Sequence, residues 1–184
     1  NADQALYPAS AVKVMTCLVA LENSSLDDQV TMTATGVSGV TDGGANISSQ
    51  LDEVFTMEQC LYAIMVASAN DIALQVAEHV GGSVDAFVQT MNARAQELGC
   101  TNTVFTNPTG LPDENQHITA HDMALIMEAA MANETFRTIA ATTSYTLPAT
   151  NVSGGERVLT NSFTMINNAS DGYYEPCIGG KEGY

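Results

Sequence analysis

Positive charge is scarce in this sequence. Its 184 residues carry 5 Lys and Arg against 21 Asp and Glu, a formal charge of −16. The cations are Lys13, Arg94, Arg137, Arg157 and Lys181. Five scattered cations cannot build the basic patch that neutralises a phosphate backbone, so nucleic acid is excluded as a partner. An anionic membrane surface repels such a chain for the same reason. Long apolar runs are also lacking, and none approaches the ~18 residues of a spanning helix. Cys17, Cys60, Cys100 and Cys177 stand too far apart for zinc knuckles. The first two fall in apolar helical stretches, where a thiol behaves as a small hydrophobe, so free thiols are expected rather than disulfides.

What is present is a globular composition, with 45% apolar residues. The length fits one domain, 1–184. A first helix is expected from Pro8, with proline at the first helical position. Ala9 to Glu22 is apolar on nearly every face, which marks a helix buried at the centre of the molecule. Residues 24–55 read as short β-like pieces between turns, notably Val30 to Thr35 and the turn Asp42-Gly43-Gly44. Thr56 and Gln59 have capping-box spacing ahead of a helix from Met57 to about Ser68. Asn70 or Asp71 is expected to cap a third helix, Ile72 to Val80, closed by Gly81-Gly82. Ser83 caps a fourth, with its apolar stripe through Val84, Phe87, Val88, Met91, Ala95 and Leu98. Thr119 and Asp122 open a fifth, and a short helix follows near Glu134 to Ala141. Residues 143–184 read as extended and turn-rich, so helices dominate.

Three short constellations carry possible chemistry. Ser10 and Lys13 are three apart, on one helix face near its N-terminus. A lysine buried there has a lowered pKa and can act as base on the serine, whose own N–H can serve an oxyanion hole. Taken alone, the pair also fits a capping serine and a lysine snorkelling to water. Ser68-Ala69-Asn70 sits at a helix junction and can relay protons and hold an amide, or simply cap a helix. Gly179-Gly180-Lys181-Glu182-Gly183-Tyr184 sets a lysine among glycines that let a ligand backbone approach closely. His117 and His121 lack a third ligand and are separated by the Thr119 cap, so no metal site is expected.

In this order Ser-x-x-Lys, Ser-x-Asn and Lys-x-Gly form the serine acyl-enzyme set of penicillin-binding proteins and β-lactamases. The segment from Tyr7 to Thr16 resembles the active-site stretch of the serine-type D-alanyl-D-alanine carboxypeptidases. So do Ala77 to Ser83, Glu97 to Thr103, Phe105 to Pro112, Thr119 to Ala124 and Leu159 to Ser162. The resemblance implies an α+β, β-lactamase/transpeptidase-like fold, here mainly helical, with much of the central antiparallel sheet missing. It implies that residues 1–184 are one transpeptidase-like domain truncated at both ends, with any membrane attachment outside it.

The implied activity is removal of the terminal D-alanine from peptidoglycan stem peptides in the bacterial envelope. Ser10 is the implied nucleophile, Lys13 the base, Ser68 the proton shuttle and Asn70 the holder of the substrate amide. Lys181, Glu182, Gly183 and Tyr184 are the implied substrate-binding segment, with the N–H groups of Ser10 and Tyr184 forming the oxyanion hole. β-Lactams are the implied covalent inhibitors, and no cofactor or metal is required. Three departures stand out. Ala69 replaces a usual Gly. Glu182 replaces a Thr that helps hold the substrate carboxylate, and an ionised glutamate repels an anion. The flanking strands are not in the sequence. A degenerate relative that binds peptidoglycan or a partner, and a serine β-lactamase, are the alternatives.

Overall fold

The computed structural model describes residues 1–40 and 44–184, so Asp42 and Gly43 of the expected turn lie outside the described residues. Among the described residues there are seven α-helices, and at their centre lies α1 (Lys13–Asn23), whose residues from Lys13 to Ala20 are all buried. A helix apolar on every face can only be accommodated this way. It is contacted by α3 (Met57–Val66), α4 (Asn70–Gly81), α5 (Val84–Glu97), α6 (Ala120–Ala132) and α7 (Glu134–Ala140). One continuous core runs through Met15, Leu18, Leu61, Ile64, Ile72, Phe87, Ile126 and Phe136.

The entry to α1 differs from the expected α-helix beginning at Pro8. Residues Ala9–Val12 form a 3-10 turn, Pro8 caps it from outside, and α-helical geometry begins at Lys13. Ala9 has φ +47, a conformation no continuous α-helix accepts.

Other boundaries follow their caps. Thr56 and Gln59 form the full capping box of α3, Ser83 caps α5 through Ala86 N, and Thr119 caps α6 through Asp122 N. Gly82, at φ +75, ends α4 in the left-handed turn that glycine adopts freely. In α5 the stripe turns inward as its period requires, with Phe87, Met91 and Ala95 buried. Met123, Met127 and Met131 of α6 are half-buried against the core.

Two expectations are corrected. Asn70 and Asp71 do not cap α4. The cap position is Ala69, which has no side-chain bond to offer, and Asn70 and Asp71 are the first helical residues. Asp71 instead accepts from Ile47 N, Ser49 N and Ser49 Oγ, holding the 44–49 segment beside the helix. Val30 to Thr35 is not one β-like piece. It divides into β1 (Gln29–Thr31) and a short helix α2 (Ala34–Ser38) capped by Thr33. Thr33 and Thr35 both donate to the Glu78 carboxylate of α4, and this tertiary bonding outweighs their β preference.

Strands are few among the described residues. β1 pairs antiparallel with β2 (Val54–Thr56), with Val30 opposite Phe55. β3 (Ser144–Leu147) pairs antiparallel with β4 (Arg157–Thr160), with Tyr145 opposite Leu159. Tyr145 stacks on Tyr62 of α3 at 4.0 Å between ring centres. Arg157 of β4 pairs with Glu53, which is fully buried, and lies 5.2 Å over the Phe55 ring. These contacts fasten both strand pairs to the helical core. The segment 179–184 then crosses the end of α7, where Gly180 N donates to Ala140 O, and reaches the turn bearing Ser10.

Candidate active site

The 3-10 turn ahead of α1 has a consequence for chemistry. Side chains three apart eclipse in such a turn, so Ser10 and Lys13 point the same way. Lys13 Nζ lies 3.2 Å from Ser10 Oγ. It also donates to Asn70 Oδ1 at 2.7 Å and to the Thr109 carbonyl at 2.5 Å. Lys13 is fully buried, and among the described residues no carboxylate pairs with it. Burial, then the nearby charge of Lys181, pushes its pKa down to about 7. Its amine is therefore half unprotonated near neutral pH. Burial also pushes the Cys17 thiol up to about 12, so the group beneath Lys13 stays neutral.

The freeing of Asn70 from a capping role is what lets its carboxamide reach Lys13. Ser68, two residues earlier, has φ +56, a left-handed conformation rare outside glycine. Such strain costs on the order of 1–3 kcal/mol and persists where surrounding packing fixes it. Its hydroxyl oxygen is buried and finds no hydrogen-bond partner among the described residues.

Ser10, Ser68, Asn70, Lys181, Glu182 and Tyr184 line one cleft of about 770 Å³. Lys13 lies behind this wall, in contact with three residues that line it, Ser10, Asn70 and Thr109. The far wall comes from residues 109–114, which add Asp113 and Glu114. Gly183 packs against the serine turn. A Cβ there would stand 2.9 Å from Pro8 O and 3.1 Å from Ser10 N, so only glycine leaves that approach open.

The sequence-predicted residues thus come together in one place, with differences in detail. Lys181 is half-buried, and this burial lowers its pKa against the opposing pull of Glu182, while Nζ donates to the Glu182 carbonyl at 2.9 Å. The Glu182 carboxylate accepts from Tyr184 Oη at 3.1 Å through one oxygen, while the other is buried without a partner among the described residues. The Tyr184 side chain is exposed. Sequence reasoning missed the Thr109 carbonyl as a neighbour of Lys13. Only the turn-forming string Asn107-Pro108-Thr109-Gly110 signalled an ordered backbone there.

This arrangement of helices and cleft is a β-lactamase/transpeptidase-like fold. The crystal structure of D-alanyl-D-alanine carboxypeptidase from Mycobacterium tuberculosis H37Rv aligns over 100% of this chain and 66% of its own, with TM-score 0.87 and 34% identity. The Streptomyces K15 DD-transpeptidase aligns over 100% and 72%, with TM-score 0.91 and 28% identity.

The chain belongs to the D-alanyl-D-alanine carboxypeptidase family, whose sequence profile matches residues 1–173. Among curated relatives, D-alanyl-D-alanine carboxypeptidase DacB2 of Mycobacterium tuberculosis is 36% identical over 182 residues, 96% of this chain and 57% of that protein. DacF of Bacillus subtilis is 36% identical over 139 residues, 73% of this chain and 35% of that protein. The chain therefore spans about a third to just over half the length of these relatives.

Proposed function

We propose that residues 1–184 form one transpeptidase-like unit of a serine carboxypeptidase. It removes the terminal D-alanine from peptidoglycan stem peptides through an acyl-enzyme. The observation that carries the reading is the fully buried Lys13 with its amine 3.2 Å from the Ser10 hydroxyl. A desolvated lysine with a pKa of about 7 is poised to accept a proton at physiological pH.

Neutral Lys13 takes the Ser10 proton as Oγ attacks the penultimate D-alanine carbonyl. The N–H groups of Ser10 and Tyr184 receive the oxyanion. The proton returns through Ser68 to the leaving amine, and the C–N bond breaks to leave an ester on Ser10. Water then attacks the ester by the reverse proton path, releasing the acid and restoring Ser10. Asn70 holds the substrate amide. Lys181 offers positive charge to the substrate carboxylate, and its field favours the neutral form of Lys13. Glu182, Gly183 and Tyr184 line the ligand's path. β-Lactams acylate Ser10 in place of the peptide. Peptidoglycan lies in the bacterial envelope, so the reaction takes place outside the cytoplasm.

Labelled penicillin tests this directly. The protein is expected to form a covalent adduct on the peptide containing Ser10, and Ser10→Ala to form none. No adduct at millimolar drug with a protein shown to be folded would sink the proposal, whereas rapid penicillin turnover would make it a β-lactamase.

A further inference from the structure

The Asn107-Pro108-Thr109-Gly110 turn has no part in the reaction described above, yet one of its carbonyls touches the base. We propose that Asn107 is a positioning residue for acylation, holding the Thr109 carbonyl on Lys13 Nζ so that the neutral amine can accept only from Ser10. The proposal rests on the reading of Ser10 as nucleophile and Lys13 as base.

Three polar atoms surround the Lys13 amine: Ser10 Oγ, Asn70 Oδ1 and Thr109 O. A charged ammonium donates to all three. A neutral amine has two N–H donors and one lone pair. The Thr109 carbonyl and Asn70 Oδ1 are acceptors only, so each must receive an N–H. The lone pair is left facing the one neighbour that can donate, the Ser10 hydroxyl. Loss of either acceptor frees an N–H to point at Ser10 Oγ, which turns the lone pair away from the proton it must take.

The Thr109 carbonyl is held by an unusual concentration of bonds on Asn107. Asn107 Oδ1 accepts from Thr109 Oγ at 2.9 Å, Thr109 N at 3.2 Å and Gly110 N at 2.8 Å. Its Nδ2 donates to Leu111 O at 3.0 Å. Thr16 of α1 donates to Pro108 O at 2.7 Å, tying the same turn to the helix that carries Lys13. Gly110, at φ +83, lets the turn press on the Ala9 carbonyl, where any Cβ would collide. Asn107 is not on the cleft wall, so it acts only through the backbone it orders.

The low lysine count makes the test direct. The chain has only Lys13 and Lys181, so lysine-selective isotope labelling gives two side-chain signals, and Lys181→Arg assigns them. The titratable groups facing Lys13 are Lys181 from the 179–184 segment and Cys17 from α1. Two quantities are measured against pH on the full chain: the rate of acylation by fluorescent penicillin and the Lys13 titration midpoint.

In Asn107→Leu the plateau acylation rate is expected to fall about tenfold or more, with the final amount of adduct unchanged. The Lys13 midpoint falls too, because the ammonium loses an acceptor. Asn107→Asp keeps the three acceptor contacts and adds negative charge. Its plateau stays within about threefold and its midpoint rises. The proposal is overturned if Asn107→Leu keeps the wild-type plateau and midpoint, or if its loss is only a smaller active fraction. It is equally overturned if folded Asn107→Asp loses acylation altogether. If the wild type forms no adduct, the nucleophile reading fails by itself, and the Lys13 midpoint in Asn107→Leu alone decides the positioning claim.

Discussion

Lys13 is held as an amine by removal from water, and this fixes how the site must respond to pH. Its pKa is lowered to about 7, first by burial and then by Lys181. Below that value the base is increasingly protonated, so the acylation rate is expected to fall about tenfold per pH unit. A plot of rate constant against pH for penicillin acylation checks this, and a flat profile down to pH 5 would remove Lys13 as the base. Glu182 is the second residue whose charge decides an outcome. One carboxylate oxygen is buried without a partner among the described residues, on the wall of the same cleft as Ser10 and Lys181. A substrate carboxylate brought beside it meets like charge. Glu182→Thr is therefore expected to raise kcat/KM for D-alanine release by about tenfold, near 1.4 kcal/mol of relieved repulsion. An unchanged value would mean that the Lys181 ammonium already offsets the glutamate. That Ser10, Lys13 and the glycine-flanked Lys181 come together was legible in the sequence because each sits in a short motif. The Asn107 carboxamide was not, because its effect passes through a backbone carbonyl that no side-chain pattern records.

Between the elements, the pairing of Glu53 with Arg157 joins the residue preceding β2 to the first residue of β4. Glu53 is fully buried and also accepts from Thr150 Oγ and Gln50 N. Among the described residues Arg157 otherwise reaches only Ile47 O and the Phe55 face. Glu53→Ala leaves a largely buried guanidinium without its anion, an expected loss of about 3 kcal/mol. In a chain of this length that lowers Tm by roughly 6–12 °C, readable by calorimetry. The reciprocal Arg157→Met is expected to cost less, since it removes a buried charge as well as its partner. The sequence could not announce this pair, because its members are 104 positions apart. Local caps were another matter. Thr56, Ser83 and Thr119 were legible because a cap bonds within three residues of itself. Asn70 and Asp71 carry the same cap-forming side chains, but their partners are Lys13 and the 44–49 segment, and local spacing cannot distinguish those uses. The positive φ of Ala9 and Ser68 was equally invisible, since neither residue favours it. Both lie on the wall of the cleft beside Ser10 and Asn70, where packing imposes what local preference resists.

For the whole molecule, the burial of Lys13 links function to stability. Its pKa is 10.5 unfolded and about 7 folded, so between those values the unfolded chain binds more protons than the native one. Stability therefore rises with pH across that window, by up to ~1.4 kcal/mol per pH unit. Below about pH 7 the native state bears the full cost of a buried ammonium. Cys17 has the opposite effect at higher pH. Its thiol ionises near 9 unfolded and near 12 folded, so above pH 9 the unfolded chain loses protons that the native chain keeps. Burial pushes the Cys60 thiol up in the same direction. The net expectation is a rise from pH 7 to 9 that turns into a decline above it, where the two thiols outweigh the one lysine. Lys13→Met removes the first contribution and keeps a side chain of similar length. Urea unfolding should find this variant more stable than the wild type at pH 7, with a much smaller gain between pH 7 and 9. It should also form no penicillin adduct. A wild-type stability that stays flat or falls over that window would mean that the lysine is not buried as its environment requires. The lysine-poor composition sharpens this experiment. Lys181, the only other lysine, is also shifted down by burial, but it sits on the cleft wall and is opposed by Glu182. The pH-dependent difference between wild type and Lys13→Met therefore reports the free energy the fold gives up to keep this amine unprotonated, the exchange of stability for activity that the proposed role of Lys13 requires.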